Sequence, residues 1–167
     1  MIAWEKIDNK TFENLAFDYM SSNYSDIRWE KTKLTNDGNK DGESIISALP
    51  FNTTIKYWYE AKYSININKS IPKSHLDSTL VSSLLDGHVV VIAFITNAYI
   101  SEDYKRRADI FARKRDNLKI YYINGEEIEN WLSENPTIED KYFHTISAQK
   151  YCIEDKIETV CFMDKYD

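Results

Sequence analysis

The chain has 167 residues, enough for one domain with a proper core. Its 43% hydrophobic and 14% aromatic content excludes a disordered segment, and no apolar run approaches the roughly 18 residues of a membrane span. A net charge of −6 excludes a uniformly basic nucleic-acid binder, because phosphate binding draws on lysine and arginine.

The elements follow in chain order. Residues 11–20 place Phe12, Leu15, Ala16, Tyr19 and Met20 at helical spacing, with Glu13, Asn14 and Asp18 on other faces. This predicts an amphipathic first helix. Residues 27–35 are rich in β-branched and aromatic side chains and end in the turn signal NDGNKDG. A second strand is expected over 43–49 and, after Pro50 and Asn52, a third over 55–64, together an antiparallel meander.

The pattern then changes. Residues 75–87 predict a helix with Leu76, Leu80, Leu84 and Leu85 on its inner face and a stop at Gly87. Residues 88–96, HVVVIAFIT, are apolar enough for a strand covered on both faces. Ser101 caps a predicted helix lined inside by Tyr104, Ala108, Phe111 and Ala112; a strand over 118–124 and a short helix follow. Alternating helices and strands imply parallel pairing in this half, so the whole reads as α/β with a mixed sheet. Past Pro136 no clear period is present, and 136–167 is expected to be an extension or linker toward a further domain.

Charge is unevenly spread. Residues 104–119 hold Lys105, Arg106, Arg107, Arg113, Lys114, Arg115 and Lys119 against Asp109 and Asp116, a candidate nucleic-acid surface or a solvated face. Residues 125–167 carry eleven acids against four lysines, a tail suited to docking on something basic. Cys152 and Cys161 have no histidine at a metal-ligand spacing and read as reduced thiols. With no signal-peptide layout at the start, a cytoplasmic, membrane-free setting is expected.

The candidate chemistry lies in two short stretches. Hard cations such as magnesium take oxygen ligands, so a catalytic site needs carboxylates converging from different elements. Asp41 in the glycine-bracketed turn and Glu60 in the third strand meet this if the two strands are neighbours. Side chains two apart on a strand share a face, so Lys62 points into the same space as Glu60 and is placed to orient a water and stabilise charge on a phosphate. Glu13, off the apolar stripe of the first helix, is a further candidate, and Asp37 competes with Asp41 for the turn position. Trp58 and Tyr59 read as core and His75 as a surface residue.

Asp41 followed by Glu60-Ala61-Lys62 resembles the PD-(D/E)xK nuclease superfamily. The order of elements is similar to the catalytic domain of Mrr-type restriction endonucleases, through Phe12-Glu13, Asp41-Gly42, the Glu-x-Lys strand and the strand ending at Thr96. Many such domains carry glutamine where Glu60 stands. The resemblance covers about residues 10–133. It implies a restriction-endonuclease-like fold over 1–135, a central mixed β-sheet flanked by helices. It further implies DNA cleavage with magnesium or manganese, Asp41 and Glu60 as metal ligands, and Lys62 and Glu13 as catalytic partners. A homo-oligomer, fused to or acting with a sensor or NTPase domain in anti-phage defence, is the expected setting. RNA as substrate stays open, as do a non-cleaving binding module of the same fold and a protein-interaction domain driven by the acidic tail.

Overall fold

The computed structural model describes residues 2–32, 40–48, 53–115 and 117–143. Asp8 caps the first helix, α1 (Asn9–Asn23), accepting from the Thr11 amide at 2.7 Å. That cap starts the helix at Asn9, three residues before the apolar stripe begins at Phe12. Phe12, Leu15, Ala16, Tyr19 and Met20, the expected inner face, are all buried.

Strands β1 (Glu30–Lys31), β2 (Gly42–Ala48) and β3 (Thr53–Lys62) form the predicted antiparallel meander. Helix α2 (Lys73–Asp86) ends at Gly87, whose φ of 72° is a left-handed cap that glycine adopts without a Cβ penalty. Strand β4 (Val89–Thr96) pairs parallel with β3, and β5 (Lys119–Ile123) pairs parallel with β4. Between them lies α3 (Glu102–Arg113), capped by the Ser101 hydroxyl on the Tyr104 amide. The sheet order is β1-β2-β3-β4-β5, mixed as expected.

Helices cover both faces. On one face α1, α4 (Gly125–Glu134) and α5 (Pro136–Phe143) pack on Tyr59, Ala61, Ala93 and Ile95. On the other, α2 and α3 pack on Trp58, Ile92 and Phe94. Neighbouring residues of β3 thus serve opposite cores, as strand alternation requires.

One expectation needs correction. The inner face of α2 is Leu76, Thr79, Leu80 and Ser83, whereas Leu84 and Leu85 are exposed. The helix turns this way because Ser83 donates back to the Leu80 carbonyl at 2.7 Å and its own carbonyl accepts from Arg115 at 2.8 Å. Beyond α4, α5 seats Tyr142 and Phe143 in the same core as Trp4. Cys152, Cys161 and most of the acidic tail lie outside the described residues. Among the described residues no helix is long and apolar enough to cross a membrane.

Candidate active site

Three backbone ties fix Asp41 at the mouth of the meander. Its amide donates to the Tyr59 carbonyl and its carbonyl accepts from the Thr32 amide, each at 3.0 Å. Its Oδ2 accepts from the Ala61 amide at 2.7 Å. The turn carboxylate is therefore anchored to the peptide between Glu60 and Lys62.

Gly42 makes this approach possible. It sits opposite Tyr59 in the ladder, and a Cβ there would lie 2.1 Å from Cε1 of that ring. Tyr59 is fully buried and packed edge-on against Trp29, so it has nowhere to retreat. Gly42→Ala is expected to cost about 2 kcal/mol, lower the melting temperature by roughly 4–8 °C, and pull Asp41 off the Ala61 amide. Thermal denaturation of the variant beside the wild type checks the loss of stability.

Glu60 and Lys62 project together onto the α2–α3 side of the sheet. Glu60 is only 2% exposed. One of its oxygens, Oε1, is paired with the Lys62 ammonium, and the other, Oε2, is buried with no hydrogen-bond partner among the described residues. Burial, reinforced by the negative charge of Asp41 and opposed by Lys62, pushes its carboxyl up to about 8. Asp41 is also raised by burial, against the pull of the Ala61 amide and of Lys62. Glu13 is raised by burial and then by Asp41, while Asn9, donating at 2.6 Å, opposes the shift. The four side chains feel one another's charge, so the site is a common electrostatic unit built from α1, the β2 turn and β3.

Glu60 contacts Lys62 directly, and Asp41 joins them through the strand backbone. Glu13 approaches from the layer of α1. Among the described residues no group of three or more His, Cys, Asp and Glu side chains is arranged to hold a metal ion. Magnesium does not demand one, because it keeps several waters and binds through one or two carboxylates. An unpaired buried carboxylate oxygen beside a second carboxylate fits a hard cation. Asp37, the competing turn acid, lies outside the described residues.

The basic helix is largely engaged. Lys105 pairs with Glu102, and Arg106 and Arg107 with Asp103, while Arg115 turns to α2. Arg113 and Lys114 are exposed. Such surface pairs are worth under about 1 kcal/mol and yield readily to a phosphate. His75 is exposed, and Trp58 and Tyr59 are core, as read.

Asn97 is a residue the sequence reading missed. It is buried just beyond β4, where its Oδ1 accepts from the Ser64 amide at 2.7 Å and its Nδ2 donates to the Ser64 carbonyl at 2.8 Å. This clamp holds the chain two residues past Lys62. The available signal was an amide side chain directly after a buried strand. Asn97→Ala should cost about 2–3 kcal/mol in denaturant unfolding, since two backbone groups lose their partners.

No protein-family model matches the chain, and no curated protein matches it. Solved structures similar to the chain include two restriction endonucleases. The restriction endonuclease MspJI, in complex with a 27-mer oligonucleotide, aligns over 72% of this chain and 26% of its own, at 15% identity and a TM-score of 0.47. The DNA modification-dependent restriction endonuclease AspBHI aligns over 84% and 40%, at 16% identity and a TM-score of 0.48. The chain thus spans well under half the length of either. Both scores fall below 0.5, so the functional reading rests on the site residues.

Proposed function

We propose that this chain is a magnesium-dependent nuclease that hydrolyses DNA phosphodiester bonds, with Asp41 and Glu60 holding the cation and Lys62 positioning the attacking water. The observation that carries this is the Glu60 carboxylate, buried with one oxygen on Lys62 and the other unpaired. Burying a charge is expensive unless it is matched. A strand that keeps a carboxylate and a lysine there, with Asp41 anchored alongside, has given up stability for a site.

A bound magnesium or manganese ion would supply Lewis acidity toward a phosphoryl oxygen and activate water. The remaining work belongs to the chain. Lys62 holds a water by hydrogen bonding and places a positive charge where negative charge grows on the phosphate. Asp41, fixed by the Ala61 amide, does not have to be ordered when substrate arrives. Glu60 must give up its proton to act as a ligand, so cation affinity rises with pH toward about 8. Glu13 adds negative potential from the α1 side.

Helix α3 lies on the same side of the sheet as Glu60 and Lys62. Its cations Lys105, Arg106, Arg107 and Arg113, with Lys114 and Arg115 just past its end, form the proposed DNA-contacting surface, and binding through them should weaken as salt rises. Cutting both strands needs two such sites, so the reading carries a homo-oligomer with it. A role in anti-phage defence beside a sensor or NTPase unit belongs to the same proposal.

The test is plasmid cleavage with magnesium or manganese, beside calorimetric titration of the cation. Cation-dependent cutting that stops in EDTA supports the nuclease. If the folded chain binds neither cation and cuts neither DNA nor RNA, the reading fails, and a non-cleaving module binding through α3 replaces it.

A further inference from the structure

Strand β5 is an edge of the sheet, and a cleft lies between it and α3. Asp109, Arg113, Arg115, Asn117, Lys119 and Tyr121 line its larger cavity, of about 650 Å³. A second cavity, of about 450 Å³, shares Asp109 and Arg113 with the first. Three cations thus reach one space from separate places: Arg113 ends α3, Arg115 follows it, and Lys119 opens β5.

Their pairing sets them apart from the rest of the basic helix. Lys105, Arg106 and Arg107 sit on Glu102 and Asp103, whereas Arg113 and Lys119 are exposed with no acidic partner among the described residues. Asp116 lies outside those residues. Arg115 is half-buried and already ordered, because its Nη1 donates to the Ser83 carbonyl of α2 at 2.8 Å. Asp109, the one acid among the described residues lining the larger cavity, accepts from the Tyr122 hydroxyl at 3.5 Å.

A helix dipole favours cations at its C-terminal end, which accounts for Arg113. It does not account for Lys119, which belongs to a strand, or for Arg115, which α2 holds in place. The carbonyls at the end of α3 do not make this a cation site either: those of Phe111, Ala112 and Arg115 accept from the amides of Lys114, Arg115 and Leu118. Like charges around one cavity repel, and an anion between them removes the repulsion. Two arginine forks and a lysine match the several oxygens of a phosphate better than the two of a carboxylate. Lys119 comes three positions before Tyr122, which shares a ladder row with Phe94 and Glu60. At about 3.3 Å per residue and about 4.8 Å between strands, the cavity lies on the order of 14 Å from Glu60. A phosphate held there is not the one under attack.

We infer that the cleft between α3 and β5 binds a phosphate group through Arg113, Arg115 and Lys119, carried by a nucleic-acid strand or by a free nucleotide. For a strand, this rests on the DNA-contacting role proposed above for α3 and adds Lys119 to it. Asp41, Glu60 and Lys62 take no part.

The experiment is calorimetric titration of the chain in EDTA with inorganic phosphate, AMP, and single-stranded and duplex DNA oligonucleotides. It is repeated on Arg113→Ala and Lys119→Ala, whose side chains are exposed and whose loss leaves the core intact. Arg28→Ala, which removes an exposed arginine beside β1 at the opposite edge of the sheet, is the control. Circular dichroism verifies each fold. Arg113→Ala and Lys119→Ala should each weaken binding about tenfold and lower the slope of log affinity against log salt by about 1, with Arg28→Ala unchanged. That pattern with phosphate and AMP assigns the cleft to a free phosphate ligand; with the oligonucleotides alone, it assigns the cleft to a strand backbone. If no probe binds, if Arg113→Ala and Lys119→Ala bind as the wild type does, or if Arg28→Ala loses as much, the inference is overturned. EDTA keeps the two readings apart. A chain that binds here and never cuts with magnesium refutes the nuclease alone, and one that cuts without binding here refutes this inference alone.

Discussion

Replacing Lys62 with alanine is expected to reduce DNA cleavage by about 10²–10³-fold or more while the chain stays folded. The loss follows from position. Lys62 is the cation that reaches Glu60, and it is partly open to solvent while its partner is buried. In the free protein it contacts Glu60; in the proposed mechanism it would supply the positive charge for a developing phosphate oxyanion. Removing it also removes the influence that holds the Glu60 carboxyl down, so that carboxyl rises above about 8 and takes up a cation less readily at neutral pH. The two effects separate by pH. Raising the pH should restore much of the magnesium affinity of Lys62→Ala, measured by calorimetry, and none of its cleavage rate. Lys62→Arg should not rescue activity, because a planar fork cannot replace a compact ammonium in this space. Cleavage by Lys62→Ala at the wild-type rate would remove Lys62 from the mechanism and leave its role as a counter-ion.

How much of this was legible in the sequence depended on how local the signal was. The five strands and the helices through α4 announced themselves through periodicity, caps and turn residues, as with Ser101 before α3 and Gly87 after α2. The inner face of α2 did not. A hydrophobicity pattern prefers Leu84 and Leu85 to Thr79 and Ser83, but Ser83 satisfies its polar groups within the helix and with Arg115, so it is buried without penalty. Helix α5 was missed because it is short, starts at a proline and draws burial from Trp4 at the far end of the chain. At the candidate site, Glu60 and Lys62 sharing a face was readable from strand alternation alone. The burial of Glu60 was not, since it depends on cover over that face. The Asp41 tie to Ala61 likewise depends on the register of Gly42 against Tyr59, which no local pattern specifies.

That burial leads to the second large effect, in which stability and activity move in opposite directions. Glu60→Gln is expected to abolish cation-dependent cleavage and to stabilise the cation-free protein at neutral and alkaline pH. The Glu60 carboxyl titrates at about 8 in the folded chain against an ordinary value of 4.5. The folded state therefore binds this proton more tightly than the unfolded state does. The stability linked to it is whole below about pH 4.5 and drains away as pH rises through 8, where the fold must carry a buried carboxylate. Glutamine keeps the shape and stays neutral throughout. A shift of this size bounds the gain at about 4–5 kcal/mol; because Lys62 loses its anionic partner, about half of that is expected, or roughly 4–8 °C in melting temperature. The measurement is a melting series from pH 4 to about 9 in EDTA, with wild type and variant side by side. Their curves should converge at the acid end and separate as pH rises. Adding magnesium should then raise the wild type alone, because only an ionised Glu60 binds the cation more tightly in the folded state. A constant offset across the series would mean that Glu60 does not carry its proton in the folded chain, and the metal-ligand reading would lose its main support.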